Sequence, residues 1–207
     1  MRTDAELLAV WREGDTRAGE ALFERYFDAV SRFFINKVPD DPDDLVQETF
    51  VACLRGRDRV RQDGSFRSYL FAIACNVLRG HYRRRRRDDA PLPDLDACSS
   101  FDLAPGPSTV MHAREEQMLL LEALRRIPLE HQVILELHYW ESMTTAEIAT
   151  VLDAPLGTVR GRLRRGRERL TEVLQQMPSS RKTRDLVVAE LDDWGTRLRE
   201  TLMSRDR

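Results

Sequence analysis

The chain has 207 residues, 33 basic and 35 acidic, and a formal net charge of −2. This length fits one large domain or two small ones, and no apolar run approaches the roughly eighteen residues that a membrane-spanning helix needs. Its three cysteines contain no CxxC pair, which argues against a disulfide framework and a zinc site. The N-terminus has early acids and no apolar stretch, so we expect no signal peptide and a cytoplasmic protein.

The first half of the chain shows helical periodicity and no alternating strand pattern. Thr3 and Glu6 have the spacing of a capping box, which predicts a short first helix that closes near Gly14. Asp15 can cap a long second helix, which we expect to end at Pro39. The N-terminal region is therefore predicted to be all-α.

The third predicted helix is acidic at its start. Asp41 is expected to cap it, with Pro42 at the first helical position. Asp43 and Asp44 fall in the first turn, where the helix dipole favours anions. The residues of its predicted apolar stripe are Leu45, Val46, Phe50, Cys53 and Leu54.

A fourth helix is predicted to begin at Ser65 and to continue into an arginine run. Five consecutive arginines, at 83–87, by themselves indicate only nonspecific affinity for nucleic acid. The apolar residues at helical spacing in this segment are Phe66, Tyr69, Leu70, Ile73, Val77 and Leu78.

Residues 88–108 differ in composition from everything before them. They contain four prolines and five aspartates, and no basic residue occurs between Asp88 and Ala113. Such a segment cannot bury a core, so it predicts a flexible acidic linker between two domains.

Helical periodicity resumes near Thr109 and predicts four short helices up to about residue 176. The last two are joined by a three-residue turn, and the final helix carries six arginines within 160–169. This is the pattern of a helix-turn-helix, whose second helix can enter the DNA major groove. Pro155 is expected at the first position of that helix.

Residues 177–207 contain a further amphipathic pattern, which predicts a C-terminal helix. Its apolar residues recur at intervals of three or four, and they are Val187, Leu191, Trp194, Leu198 and Leu202.

Three segments resemble motifs of the ECF (extracytoplasmic function, group IV) sigma factors of the sigma-70 family. Residues 43–50 (DDLVQETF) resemble the signature that docks on the clamp helices of the RNA polymerase β′ subunit. Residues 64–76 (GSFRSYLFAIACN) resemble the helix that binds the −10 element as a single strand, with Tyr69 where tryptophan is commoner. Residues 157–163 (GTVRGRL) resemble the helix that reads the −35 element, with Gly161 in place of serine.

The resemblance implies three sets of site residues. The polymerase-binding set is Asp43, Asp44, Leu45, Gln47 and Glu48. The −10 set is Asn76, which would contact a flipped base, Arg79, and the backbone-binding Arg83, Arg84 and Arg85. The −35 set is Thr158, Arg160, Arg162, Arg164 and Arg165. The loop at 56–64 would form a wall of the −10 pocket, and Gly80 departs from the acid or amide often found at that position.

The resulting prediction is an all-α sigma factor with two small helical domains and no catalytic, cofactor or metal site. Region 2 is predicted at 1–87, the linker at 88–108, region 4 at 109–176 and a C-terminal extension at 177–207. Core RNA polymerase, promoter DNA and a possible anti-sigma factor are the expected partners, without membrane insertion. The sigma factor would place polymerase at −35 and −10 elements and promote DNA opening.

Two alternatives are weaker. A stand-alone helix-turn-helix regulator would account for 109–176 but would leave 43–50 and 64–87 unexplained. A nuclease would need a carboxylate cluster beside the basic patches, and the sequence has none there.

Overall fold

The structure is a computed structural model that describes residues 2–38, 41–59, 65–86 and 115–177. Within these ranges the regular elements are eight α-helices and one short 3-10 helix, without a strand. The chain divides into two compact units, one built from the first four α-helices and the other from the rest, including most of the seventh. The predicted linker, and the extension beyond Met177, lie outside the described residues.

The first unit contains α1 (Asp4–Arg12), α2 (Thr16–Ile35), α3 (Pro42–Arg55) and α4 (Phe66–Arg86), with the 3-10 helix at Arg57–Arg59. Helix α2 packs against α1, α3 and α4, and α3 packs lengthwise on α4. The core between them is apolar, and its fully buried side chains include Leu22, Val30, Phe34, Leu70 and Phe71.

The predicted starts of α1 and α2 are confirmed. The Glu6 amide donates to Thr3 Oγ1 (3.3 Å) and the Thr3 amide donates to the Glu6 carboxylate (2.7 Å), which is a complete capping box. Asp15 accepts a hydrogen bond from the Arg17 amide at 3.0 Å. Helix α2 ends at Ile35, before the predicted end at Pro39. The buried Lys37 ammonium donates to the Phe33 carbonyl (2.8 Å) and so satisfies one of the carbonyls that the helix end leaves open.

Two details of α3 differ from the sequence prediction. Asp41 occupies the cap position, but its backbone is left-handed (φ 50°) and its side chain makes no capping hydrogen bond. Leu54 is 50% exposed, whereas Thr49 is fully buried and donates its hydroxyl proton to the Leu45 carbonyl at 2.8 Å. Positions 45, 49 and 53 share one helical face, so Thr49 takes the place in the core that the stripe assigned to Leu54.

The second unit contains α5 (Glu115–Arg125), α6 (Leu129–Tyr139), most of α7 (Thr145–Leu152) and α8 (Leu156–Gln176). Helix α6 is central, since nearly all of its side chains are buried and it packs along α8. The three-residue turn between α7 and α8 is confirmed. Pro155 is the cap residue of α8, one position before the predicted place, because its extended backbone (ψ 140°) puts it just outside the helix.

None of the described helices combines the length and the hydropathy that crossing a membrane requires.

Candidate nucleic-acid and polymerase interfaces

One face of α8 is fixed to the rest of the second unit. Val159, Leu170 and Leu174 are buried on this face. Gly166 lies between them, and a Cβ there would be 3.4 Å from both His131 Cβ and Leu135 Cγ. A bulkier residue at this position would therefore push α8 away from α6. This packing leaves the opposite side of α8 to solvent.

Helix α7, the first helix of the helix-turn-helix, begins with a capping box. The Thr144 amide donates to Glu147 Oε2 at 2.8 Å, and the Glu147 amide donates to Thr144 Oγ1 at 3.2 Å. Two otherwise open amide groups are thereby satisfied, which sets the start of α7.

The arginines of α8 have different surroundings. Arg160 and Arg165 are exposed. Arg164 and Arg169 pair with acids one turn along the same helix, Glu168 at 3.1 Å and Glu172 at 2.9 Å. Such exposed pairs contribute little to stability, so these arginines stay available to phosphates. Thr158, also predicted to contact DNA, is half-buried.

Arg162 differs from its neighbours. Its Nε lies 3.1 Å from Glu130 Oε2, near the start of α6, and the two side chains are only 26% and 14% exposed. The structure therefore places Arg162 where α8 packs on α6, and its contact with the −35 element stays a prediction. Glu130 is 32 positions earlier in the chain (162 minus 130), and no local pattern joins them.

Helix α4 carries the predicted −10 residues. Asn76 is exposed, and its Oδ1 accepts a hydrogen bond from Arg79 Nη1 at 2.9 Å. One of the two lone pairs of the amide oxygen is thus taken, and the N–H groups of Asn76 can donate to a partner. Farther along α4, the three predicted phosphate-binding arginines are exposed, and they are Arg83, Arg84 and Arg85.

The basic end of α4 is held in place by the end of α2. The Tyr82 hydroxyl donates to the Lys37 carbonyl at 2.6 Å. Lys37 is fully buried, with its ammonium 4.0 Å from the centre of the Phe33 ring. The arginines that follow Tyr82 therefore project from a helix that is anchored just before the arginine run begins.

An open cleft of about 600 Å³ lies between α3 and α4. Part of its rim is fixed by the Tyr69 hydroxyl, which donates to the Gly56 carbonyl at 2.8 Å. The residues that line the cleft are Glu48, Val51, Ala52, Arg55, Gly56, Tyr69, Ile73, Asn76 and Val77. Of the loop predicted to wall the pocket, Gly56 lines this cleft, and residues 60–64 lie outside the described part of the chain.

The exposed face of α3 matches the predicted docking set with one exception. Asp43, Asp44, Gln47 and Glu48 are exposed, whereas Leu45 is 4% exposed and supports the helix from inside the core. The apolar part of this face was not predicted from the sequence. Val51 and Leu54, 37% and 50% exposed, extend the acidic face by two turns along α3.

The acidic face also touches the basic one. Glu48 Oε2 lies 3.1 Å from Arg84 Nη2, and both side chains are about half exposed (46% and 58%). Together with the cleft that Glu48 and Asn76 both line, this pair makes the predicted docking and −10 surfaces adjoining parts of one unit.

Within the described residues no three His, Cys, Asp or Glu side chains are close enough together to hold a metal ion.

A helical unit with adjoining acidic and basic faces, together with a helix-turn-helix unit, defines a DNA-binding transcription protein. Residues 22–88 match the family described as Sigma-70 region 2, and residues 117–170 match Sigma-70, region 4. The chain is 30% identical over 184 residues to the ECF RNA polymerase sigma-E factor of Escherichia coli K12, covering 84% of this chain and 96% of that protein. It is 28% identical to the RNA polymerase sigma-H factor of Pseudomonas aeruginosa, with 84% and 95% covered.

Solved structures agree with these relatives. The structure of CnrH in complex with the cytosolic domain of CnrY is similar at a TM-score of 0.62 and 28% identity, with 83% of this chain and 97% of that chain covered. The sigma factor RpoE of Bartonella quintana, in complex with the anti-sigma factor NepR, shares the fold at a TM-score of 0.61 and 21% identity, with 76% and 96% covered. The chain belongs to the sigma-70 family and is an RNA polymerase sigma factor of the ECF group.

Proposed function

We propose that the chain binds core RNA polymerase through α3, reads a −10 element with α4 and a −35 element with α8, and promotes DNA opening. The observation that supports this assignment best is the cleft where Glu48 of α3 and Asn76 of α4 meet. A stand-alone regulator needs only the helix-turn-helix unit, whereas a sigma factor needs its polymerase-docking and DNA-opening surfaces side by side.

Docking is proposed to use the exposed face of α3. Asp44 and Glu48 would meet a basic partner helix, for which the β′ clamp helices are the candidate, and Val51 and Leu54 would add apolar contact along the same face. The exposed ion pair between Glu48 and Arg84 is worth little in water, so exchanging it for contacts with the polymerase and DNA phosphate costs little.

At the −10 element, Asn76 is proposed to recognise a base that has left the stack. Arg79 holds the amide group through its oxygen, and the Asn76 N–H groups would donate to an acceptor on the base edge. Exposed arginines that follow on α4 would neutralise the phosphates of the opened strand, and this contribution weakens with salt.

At the −35 element, Arg160 and Arg165 are the proposed base and phosphate contacts, with Arg164 as a further phosphate contact. They project from the exposed side of a helix whose opposite face is fixed on α6. Arginine suits guanine and phosphate because its planar group donates two parallel hydrogen bonds.

The chemistry of transcription belongs to the polymerase, so we propose that this chain is not an enzyme and acts in the cytoplasm without a cofactor. Its acidic residues 88–108, which include no lysine or arginine, would suit a basic channel of the polymerase. CnrH, 28% identical to this chain, was solved in complex with the cytosolic domain of CnrY, and we propose that this chain also has a regulatory protein partner, an anti-sigma factor.

Run-off transcription tests the proposal. Core RNA polymerase with a pool of genomic promoter fragments should give discrete transcripts only when the full-length chain is added, and the chain should co-elute with core polymerase. Tight binding to the same duplex promoters by the chain alone, with no co-elution, would contradict the proposal and favour the stand-alone regulator.

A further inference from the structure

Leu156, the first residue of α8, is an exception among the apolar residues of the second unit. It is 38% exposed, whereas Leu170 and Leu174 on the same helix are 1% and 0% exposed. Among the residues of this unit that the structure describes, Leu156 is the exposed large hydrophobic side chain. Packing within the second unit therefore covers only part of the Leu156 side chain.

The surroundings of Leu156 are those of the DNA-facing side. It lies four residues before Arg160, so the two side chains are neighbours on consecutive turns of α8. A Cβ built at Gly157 meets nothing within 4 Å, so the space beside the leucine is open. Arg160 is itself exposed, so an exposed apolar side chain lies next to an exposed guanidinium group.

The DNA major groove offers one apolar group on the base edges, the C5-methyl group of thymine. We propose that Leu156 determines specificity in the −35 element by packing on a thymine methyl group, beside the base or phosphate that Arg160 contacts. This inference rests on the proposed binding of α8 to the −35 element. Leu156 would thus recognise a base by its methyl group, whereas the arginines recognise other positions through hydrogen bonds.

The expected size of the effect follows from the burial of one methyl group. Removing it should weaken binding about fourfold at one position. Leu156→Ala removes the apolar contact but keeps a strong helix former at the first position of α8, so the helix should persist.

The test uses holoenzyme assembled from core RNA polymerase and the full-length chain. The preferred −35 element is first selected from random duplexes, and each thymine is then replaced singly by deoxyuridine, which lacks only the methyl group. One such replacement should raise the Kd of the original protein about fourfold and leave that of Leu156→Ala unchanged. Ile35→Ala, a change at an exposed apolar residue of the first unit, is the matched control and should retain the fourfold effect.

The outcomes separate this inference from the proposed function. A selected element without thymine, a Kd that no deoxyuridine changes, or an undiminished effect in Leu156→Ala would overturn the role of Leu156 while −35 recognition stands. Holoenzyme with no preference at −35 would overturn the proposed reading by α8 itself.

Discussion

Arg160 and Arg162 are two residues apart on α8, yet the first is exposed and the second is paired with Glu130. Arg160→Ala should relax sequence preference at one −35 position, with a loss of about 1–3 kcal/mol in discrimination.

Arg162→Ala should instead destabilise the second unit by about 1–3 kcal/mol, because it leaves the Glu130 carboxylate, 14% exposed, without this partner. Promoter selection measures the first effect and urea unfolding the second.

A double-mutant cycle provides the control for Arg162. Glu130→Gln should also destabilise the unit, and the double variant should cost less than the sum of the two single changes, because both remove one interaction. Additive effects, or a change of −35 preference in Arg162→Ala at unchanged stability, would contradict the structural role of this arginine.

Cys53 illustrates how burial controls reactivity. It is fully buried in α3, and this burial raises the pKa of its thiol to about 12. At pH 8 only about one thiol in ten thousand would then be the reactive thiolate. In a Cys98→Ser variant, which removes the cysteine outside the described residues, the folded protein should react very slowly with a thiol reagent at pH 8.

The same Cys98→Ser protein in urea is the control, since it should release two thiols, Cys53 and the buried Cys75. Rapid modification of Cys53 in the folded state, located by mass spectrometry, would show that α3 is not packed as described.

At the scale of helices, the docking proposal depends on acids that the core does not need. Asp44 and Glu48 are exposed on α3. The double reversal Asp44→Arg and Glu48→Arg should leave the helical content unchanged and weaken binding to core polymerase by about 2 kcal/mol or more. Circular dichroism measures the first quantity and gel filtration with titrated core polymerase the second.

Glu13→Arg is the matched control, because it reverses an exposed carboxylate at the end of α1. It should bind core polymerase normally. Equal binding by the α3 reversal and this control would mean that α3 is not the docking helix.

The helices themselves could be predicted from local signals. The capping box at Thr3 and the proline at the start of α3 mark helix starts that the structure confirms. The errors concern features that depend on backbone conformation or on neighbours distant in sequence. The left-handed backbone of Asp41 turns a favourable cap residue into one without a capping bond, and a pattern of residue types carries no information about that dihedral.

The candidate sites were predictable as motifs but not as surfaces. The segment 43–50 indicates an acidic docking helix, yet only the packing of α3 on α4 shows that Glu48 lines a cleft with Asn76. Likewise, a count of arginines cannot separate Arg162 from its neighbours, because Glu130 belongs to another helix. These contacts require the tertiary arrangement.

At the scale of the whole molecule, the chain extends beyond its family match, which ends at residue 170. The stripe predicted within 177–207 contains four aliphatic residues and Trp194, too much apolar surface to remain in water on a soluble monomer. Residues 178–207 lie outside the described part of the chain, and we expect this stripe to pack on the chain itself.

Tryptophan fluorescence tests this hypothesis directly. Trp11 and Trp140 are 2% and 6% exposed, so acrylamide should quench them weakly. If residues 181–207 pack on the folded chain, Trp194 should also resist quenching in the intact protein, and Leu191→Asp should make one tryptophan freely quenchable. Thr201→Asp, a polar exchange outside the stripe, is the control and should leave quenching unchanged.

Deleting residues 181–207 then separates two modes of packing. A tail that covers a structural face contributes buried apolar area, so its loss should lower Tm by several degrees without raising transcription. A tail that covers the exposed side of α8 would compete with DNA, so its loss should raise transcription from a −35-dependent promoter. We expect one of these two changes, because a stripe packed within the molecule must shield either the core or a binding face. A truncated protein with the Tm and transcription of the intact chain would show that the stripe binds another molecule.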